Sequence, residues 1–175
     1  MQFSETRLPG VFEVSLEPHH DERGYFARTW CCREFEAHGL NSVLVQCNIS
    51  VNIRRGTLRG VHYQAAPHRE AKVVRCTRGA IYDVVVDLRE SSPTFKQWVG
   101  VELTAANHNM LYVPEGCGHG FLTLEDDTEV FYQMSEFYEE TAARGVRWND
   151  PAFAIEWPAA VQVISDRDAH YPSFF

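Results

Sequence analysis

The chain has 175 residues, of which 45% are hydrophobic and 23% are charged, and its formal net charge at pH 7 is −8. This length fits one globular domain that buries about 70% of its unfolded surface, so we expect a single domain over residues 1–175. The acidic balance argues against a general nucleic-acid or membrane surface, because long-range repulsion opposes both partners. An anionic ligand would therefore have to be held by a local cluster of basic side chains.

The cellular compartment is predicted from apolar runs and cysteines. No window approaches the roughly 18 apolar residues of a membrane helix, and the first residues lack a basic region followed by an apolar one. Five cysteines, an odd number without a CxxC pair, are expected to be reduced rather than to form disulfides or a zinc site: Cys31, Cys32, Cys47, Cys76 and Cys117. These features predict a cytoplasmic protein.

Short segments rich in Val, Ile, Phe and Tyr recur along the chain and predict β-strands. Turn signals separate them, for example at residues 21–24 and 114–116. The predicted strands cover residues 11–16, 25–30, 43–51, 57–63, 72–76, 80–88, 98–103, 109–113, 118–124 and 129–134. This pattern is typical of an all-β sandwich or barrel.

Three features refine this organisation. One helix is predicted over residues 32–38, where Gly39 ends it. In residues 80–89 an apolar face alternates with a mixed face formed by Ile81, Asp83, Val85 and Asp87, which suits a wall between a packed core and a polar cavity. The C-terminal residues 137–175 are less regular, and we expect them to wrap the barrel or cover its mouth.

Residues 56–72 concentrate two arginines, two histidines, a tyrosine and a lysine among otherwise apolar segments. Strand alternation puts His62 and Gln64 on one face and Arg59 on the opposite face. If this strand lines a barrel, His62 points into the lumen. A hydrogen-bonded core histidine is the simpler interpretation of His62 alone, but the density of polar groups favours a functional site.

Two histidines, His62 and His119, stand where a small β-barrel of the cupin kind places metal ligands. A metal-binding cupin has a second histidine two residues after the first, but Gln64 occupies that position. Two dependable ligands are fewer than the usual set that holds a catalytic divalent ion. We therefore expect no metal, and a lumen histidine that is free for acid–base chemistry.

A histidine that abstracts a proton needs an orienting carboxylate, a cation for the developing negative charge and a proton donor. Asp168 or Asp83 could hold the imidazole of His62 in one tautomer. Lys72 could neutralise an enolate oxygen, an interaction worth about 3 to 4 kcal/mol in a dry site. Tyr132 lies on a predicted strand and could either project its phenol into the lumen or be a core tyrosine with a bonded hydroxyl.

Ordered motifs along the chain match one known family. They are residues 21–26, 46–50, 58–64, Lys72, residues 83–89 and 92–95, residues 114–121, Tyr132, Tyr138, and residues 148–151 and 157–158. On these motifs the chain resembles the dTDP-4-dehydrorhamnose 3,5-epimerase family over nearly its whole length. The resemblance implies an all-β, cupin-like jelly-roll barrel of two antiparallel sheets with a few short helices, which works as a homodimer without metal or cofactor.

The resemblance also implies an activity, namely inversion of C3 and C5 of a nucleotide-linked 4-keto-6-deoxyhexose in dTDP-rhamnose biosynthesis. In that family the residue matching His62 is the base, supported by Asp168, while Lys72 stabilises the enolate and Tyr132 returns a proton from the opposite face. The implied binding residues for the nucleotide-diphosphate sugar are Arg23, Phe26, Gln46, Asn48, Arg59, His119, Tyr138 and Arg167. Both carbons are α to the C4 carbonyl, so one site can serve both inversions.

Three departures from the family pattern leave alternatives open. Arg28 and Ala143 stand where the family usually has Glu near the nucleotide, and Glu70 replaces a more usual Gln. Thymidine is the preferred base, with GDP- or CDP-linked sugars as the alternative, and inversion at C3 alone is a further one. A metal-dependent cupin enzyme and a non-catalytic sugar-nucleotide-binding cupin are less favoured, the latter because a binder needs no acid–base set.

Overall fold

The computed structural model describes residues 1–174, in which β-strands are the main regular structure. The strands are β1 (Gln2–Glu5), β2 (Phe12–Ser15), β3 (His19–Asp21), β4 (Gly24–Phe26), β5 (Gln46–Asn52), β6 (Leu58–Gln64), β7 (Lys72–Arg78), β8 (Ala80–Asp87), β9 (Trp98–Thr104), β10 (Met110–Val113), β11 (Cys117–Thr123), β12 (Thr128–Met134) and β13 (Ala143–Gly145). The helices are α1 (Cys32–Ala37) and α2 (Asp166–Ala169). No helix among these residues is long and apolar enough to cross a membrane.

The strands form two larger sheets and a separate hairpin. One sheet has six strands in the order β1-β2-β10-β7-β12-β5, and the other has five in the order β13-β6-β11-β8-β9. Every ladder of these two sheets is antiparallel. The predicted all-β jelly roll of two antiparallel sheets is therefore confirmed, whereas β1, β3, β13 and α2 were not predicted.

The main core lies between the two sheets. Val74 and Leu111 of the six-stranded sheet pack in one cluster with Ile81, Val85 and Phe121 of the five-stranded sheet, all nearly or fully buried. Burial of each such side chain contributes about 1.5 to 3 kcal/mol. The mixed face predicted for β8 points into this interior, since Ile81 and Val85 belong to the cluster.

The outer face of the six-stranded sheet is covered over part of its width. Phe35 of α1 is fully buried against Met110 and Tyr112 of β10 and Val73 of β7. This helix matches the predicted one. The cover does not extend to the edge strand β5, where the side chain of Ile49 is 61% exposed.

The C-terminal part of the chain covers the outer face of the five-stranded sheet. Val146 and Phe153 pack against Val84 and Val86 of β8, whose apolar face was predicted. The chain then turns to the other side of β6 through α2, which begins after Ser165. The prediction that the C-terminal third wraps the barrel is confirmed, and this wrapping brings α2 to the site described next.

Candidate active site

A cavity of ≈ 650 Å³ lies between the two sheets, and its lining contains most of the predicted site. The predicted residues on its wall are Gln46, Asn48, Arg59, His62, Lys72, His119, Tyr132, Tyr138, Arg167 and Asp168. Strands β5, β7 and β12 supply one wall, strands β6 and β11 the other, and α2 closes one side. Residues far apart in the sequence therefore meet in one place, as the family resemblance implied.

Two predicted binding residues lie elsewhere. Arg23 and Phe26 belong to the β3–β4 hairpin, outside the cavity of their own chain. Arg23 forms an ion pair with Asp21 across the turn, and Phe26 is 72% exposed. The fold of one chain does not bring either side chain to the cavity.

His62 of β6 forms a hydrogen-bonded dyad with Asp168 of α2. Its Nε2 lies 2.7 Å from Oδ1 of Asp168, while Oδ2 accepts a 3.1 Å hydrogen bond from the backbone N–H of Gly60. Ser165 caps the helix by accepting from the N–H of Asp168. Burial of Asp168 opposes ionisation, but the contacts with His62 and Gly60 outweigh it and hold the pKa of Asp168 below its ordinary value. An ionised Asp168 fixes the ring and leaves Nδ1 as the basic nitrogen.

The predicted alternation along β6 is wrong at one step. His62 pairs with His119, but Arg59 pairs with Phe121, so β6 contains one more residue than β11 between these pairs. Such a bulge reverses the alternation, and Arg59 and His62 consequently line the same cavity. Gly60 allows it, because its φ is 131° and a Cβ there would lie 2.5 Å from Cα of Gly120.

A second histidine–carboxylate pair lies beside the first. Nε2 of His119 is 2.7 Å from Oδ1 of Asp83, a fully buried residue of β8. His119 is also the cross-strand partner of His62. The alternative in which Asp83 orients His62 is therefore wrong, since Asp83 holds His119 and Asp168 holds His62.

Lys72 is paired with a carboxylate that the sequence interpretation did not use. Nζ of Lys72 lies 2.8 Å from Oε1 of Glu70, and the two side chains are 10% and 4% exposed. Oε2 of Glu70 accepts a 3.0 Å hydrogen bond from the N–H of Gln64. The spacing of two residues at the start of a strand, which places both side chains on one face, is a signal that could have found this pair.

Tyr132 of β12 extends from the inter-sheet core to the cavity wall. Burial raises the pKa of its phenol, although the charge of Arg59 acts in the opposite direction. The phenol is therefore neutral near pH 7 and carries a proton that it can donate. Tyr132 projects from the six-stranded sheet and His62 from the five-stranded sheet, so the two groups approach the cavity from opposite walls.

Arginines and amides supply the remaining polar lining. Arg59, Arg144 and Arg167 all border the cavity of this acidic protein. Nε of Arg59 donates to the side-chain oxygen of Asn52 at 2.7 Å, which fixes the guanidinium. The backbone N–H of Tyr138 donates to Oε1 of Gln46 at 3.1 Å, so Tyr138 is tied to the wall of β5. This local basic cluster meets the expectation for an anionic ligand.

The side chain at the position of a third metal ligand is engaged in other contacts. Gln64, at the position of the missing third ligand, donates to the carbonyl oxygens of His68 and Phe137 and accepts from the N–H of Glu139. Within residues 1–174 no three His, Cys, Asp or Glu side chains are grouped so that they could hold a metal ion.

The chemistry of this cavity is that of proton transfer next to a carbonyl. It combines a carboxylate-supported imidazole, an ammonium group for developing negative charge, a neutral phenol on the opposite wall, and arginines for an anionic substrate. A jelly-roll barrel whose cavity carries these groups belongs to the class of acid–base isomerases that act through an enolate.

Comparisons with known proteins give the family. The profile of the family described as dTDP-4-dehydrorhamnose 3,5-epimerase matches residues 5–175. The Shigella flexneri enzyme of that name is 41% identical over 175 residues, which are 99% of this chain and 96% of the relative. The chain therefore belongs to this family and is an isomerase.

Two further relatives bear on the ligand and on stereochemistry. The crystal structure of the Bacillus anthracis 3,5-epimerase with TDP and PPi bound superposes with a TM-score of 0.94, at 40% identity over 99% of both chains. A dTDP-4-dehydrorhamnose 3-epimerase of Streptomyces niveus is 40% identical over 162 residues, which are 92% of this chain and 78% of the relative. The relatives of this chain thus include enzymes named for one inversion as well as for two.

Proposed function

We propose that this chain inverts C3 and C5 of dTDP-4-dehydro-6-deoxyglucose to give dTDP-4-dehydro-L-rhamnose. The observation that carries the proposal is the His62–Asp168 dyad in a cavity that also contains Lys72 and Tyr132. Membership of the epimerase family supports the same reaction. Because C3 and C5 both flank the C4 carbonyl, one constellation can act on each carbon in turn.

Each inversion proceeds in two proton transfers. His62 takes the proton from the carbon next to the carbonyl, and the electron pair of the broken C–H bond moves into an enolate whose oxygen is stabilised by the ammonium of Lys72. Tyr132 then donates its proton to the opposite face of that carbon. His62 is left with an extra proton and Tyr132 without one, and exchange with solvent restores both. The positions of His62 and Tyr132 on opposite walls support this stereochemistry.

The rest of the lining binds the nucleotide diphosphate. Guanidinium groups match phosphate oxygens in two-point hydrogen bonds, which suits Arg59 and Arg167. Tyr138 borders the same cavity and offers an aromatic face for the base. Gln46, Asn48 and His119 are assigned to the sugar and the phosphates, in keeping with their places on the cavity wall.

We assign the working form as a homodimer. Ile49 and Val51 leave 61% and 51% of their surface exposed on edge strand β5, an arrangement that a second copy can cover. The exposed hairpin with Arg23 and Phe26 lies outside its own cavity, so these residues can serve a site only in a partner chain. The dimer thus accounts for both features at once.

The proposed place of action is the cytoplasm. All five cysteines are free thiols within residues 1–174, and thiols of this kind suit a reducing compartment. Cell fractionation with an antibody against the chain would check the assignment, and recovery of the protein from an oxidising compartment would contradict it.

Incubation with dTDP-4-dehydro-6-deoxyglucose in D2O, followed by NMR, tests the reaction. Deuterium should appear at C3 and C5, and the product should have the L-rhamno configuration. Label confined to C3 would favour the single inversion for which the Streptomyces niveus relative is named. The GDP- and CDP-linked sugars serve as competing substrates, and elemental analysis of the active protein tests for a metal. Absence of exchange with all three sugars would overturn the proposal.

A further inference from the structure

Tyr171 lies three residues after Asp168 and was not among the predicted site residues. Its ring centroid is 6.1 Å from that of His62, with the two rings inclined at 70°. Its hydroxyl accepts a 2.8 Å hydrogen bond from Nε of Arg167. Tyr171 thus contacts two members of the site without itself bordering the cavity.

The position of Tyr171 is fixed by its surroundings. Gly145 of β13 pairs with His62, and a Cβ at residue 145 would collide with the ring of Tyr171. On the C-terminal side, the N–H of Phe174 donates to Oδ2 of Asp150 at 2.8 Å, and the ring of Phe174 packs on Phe153. The ring of Tyr171 therefore packs against the backbone of β13, and the contacts of Phe174 hold the chain that follows it in place.

Arg167 contacts two tyrosines. The pKa of its guanidinium is raised by the side chain of Tyr138 first and by Tyr171 after it. The guanidinium carbon is 5.8 Å from the ring centroid of Tyr171, in the range of a cation–π contact. Nε donates to Tyr171, which leaves the terminal amino groups for Tyr138 and for a phosphate.

We propose that Tyr171 is a positioning residue that holds Arg167 in place for the diphosphate of the substrate. An arginine side chain loses rotamer freedom when it binds a ligand, and a side chain that is already ordered loses less. Tyr171 orders Arg167 before the substrate arrives. The inference rests on the proposed function, because it takes the ligand of Arg167 to be a nucleotide diphosphate.

The test is Tyr171→Phe, which removes the hydroxyl but keeps the ring beside His62. Its Kd for dTDP, measured by calorimetry, and its KM for the sugar nucleotide should both rise about three- to tenfold, while kcat changes less than about twofold. The matched control is Tyr82→Phe, which removes a hydroxyl on the outer face of the five-stranded sheet and should leave Kd and KM unchanged.

A double-mutant cycle separates positioning from a general loss of structure. In an Arg167→Met background, Tyr171→Phe should have no further effect on the Kd for dTDP, because the side chain through which it acts is gone. Equal dTDP affinities of the wild type and Tyr171→Phe, or additive effects in the cycle, would overturn the role of Tyr171. Failure of the wild type to exchange deuterium would instead overturn the proposed function.

Discussion

Asp168 holds the imidazole of His62 from a position 106 residues further along the chain, with 2.7 Å between Oδ1 and Nε2. The contact joins a strand of the barrel to a four-residue helix in the C-terminal segment. That segment is anchored by Val146 and Phe153 on the outer face of the sheet. The wrapping of the C-terminal third is therefore part of how the His62–Asp168 dyad is built.

Replacement of His62 tests the base directly. His62→Asn should lower deuterium incorporation by about 10² to 10⁴-fold, because a positioned base contributes that much. The Kd for dTDP should stay within about twofold, since the arginines that we propose to bind the diphosphate are unchanged. NMR in D2O gives the exchange rate and calorimetry gives the affinity. Exchange above about a tenth of the wild-type rate would contradict the role of His62.

Much of this site was predicted from the sequence, for identifiable reasons. His62 stood out because its strand is unusually polar, and strand alternation correctly separated the two faces of β8. Residue chemistry named Asp168 and Asp83 as alternatives, and only the family resemblance chose Asp168, because its contact with His62 depends on how the C-terminal segment wraps the barrel. No local pattern encodes a contact over 106 residues.

The misses also have physical causes. Strict alternation predicted the wrong face for Arg59, because it assumes that paired strands advance by equal numbers of residues. The bulge in β6 breaks that assumption. The binding role that the resemblance implied for Arg23 stays a prediction: the fold of one chain leaves it on an outer hairpin, so the role depends on a partner chain. Glu70 was noticed only as a departure from the family, although its pairing with Lys72 follows from their spacing.

The Glu70–Lys72 pair gives a prediction about stability. Glu70→Ala removes one member of a buried ion pair and should lower the free energy of unfolding by about 3 kcal/mol. Glu70→Gln should cost less, because its amide oxygen can still accept from one of the two donors, Lys72 or the N–H of Gln64, which now bond to different carboxylate oxygens. Urea unfolding of both variants at pH 7 measures the difference. Equal losses in the two variants would show that these hydrogen bonds do not stabilise the fold.

Asp87 should make the fold sensitive to acid. Burial opposes its ionisation, but hydrogen bonds from Arg89, Ser92 and Thr94 prevail and lower its pKa from 3.8 to about 2. Because the folded pKa is depressed, its stabilising contribution is present above about pH 4 and is lost as the pH falls toward 2. Asp87→Asn should therefore destabilise by about 2 kcal/mol at pH 7 and by roughly half as much at pH 3.

Urea unfolding of the wild type and Asp87→Asn at the two pH values measures this change. Asp126→Asn is a suitable control, because Asp126 is exposed and its stability effect should be small at both values. A difference between wild type and Asp87→Asn that does not change with pH would contradict the electrostatic account.

The uncovered face of β5 gives a prediction about assembly. Ile49→Glu places a charge on an edge strand where the side chain is exposed in a single chain, so the fold should be retained. In the proposed dimer the same charge would be buried, which strongly disfavours association. Sedimentation at micromolar concentration should show a dimer for the wild type and a monomer for the variant. A wild-type monomer under these conditions would contradict the assignment.

The role of Tyr132 is tested by separating exchange from inversion. In Tyr132→Phe the base and Lys72 are intact, so His62 should still remove the substrate proton and return a solvent-derived one to the same face. Exchange with retained configuration should therefore survive, while inversion falls by about 10² to 10⁴-fold, because only the acid is lost. A packing role alone predicts a loss of stability of about 1 to 3 kcal/mol and no change in stereochemistry. The ratio of exchange to inversion, measured by NMR in D2O, distinguishes the acid role from the packing role. A variant that inverts both carbons at the wild-type rate would remove Tyr132 from the mechanism.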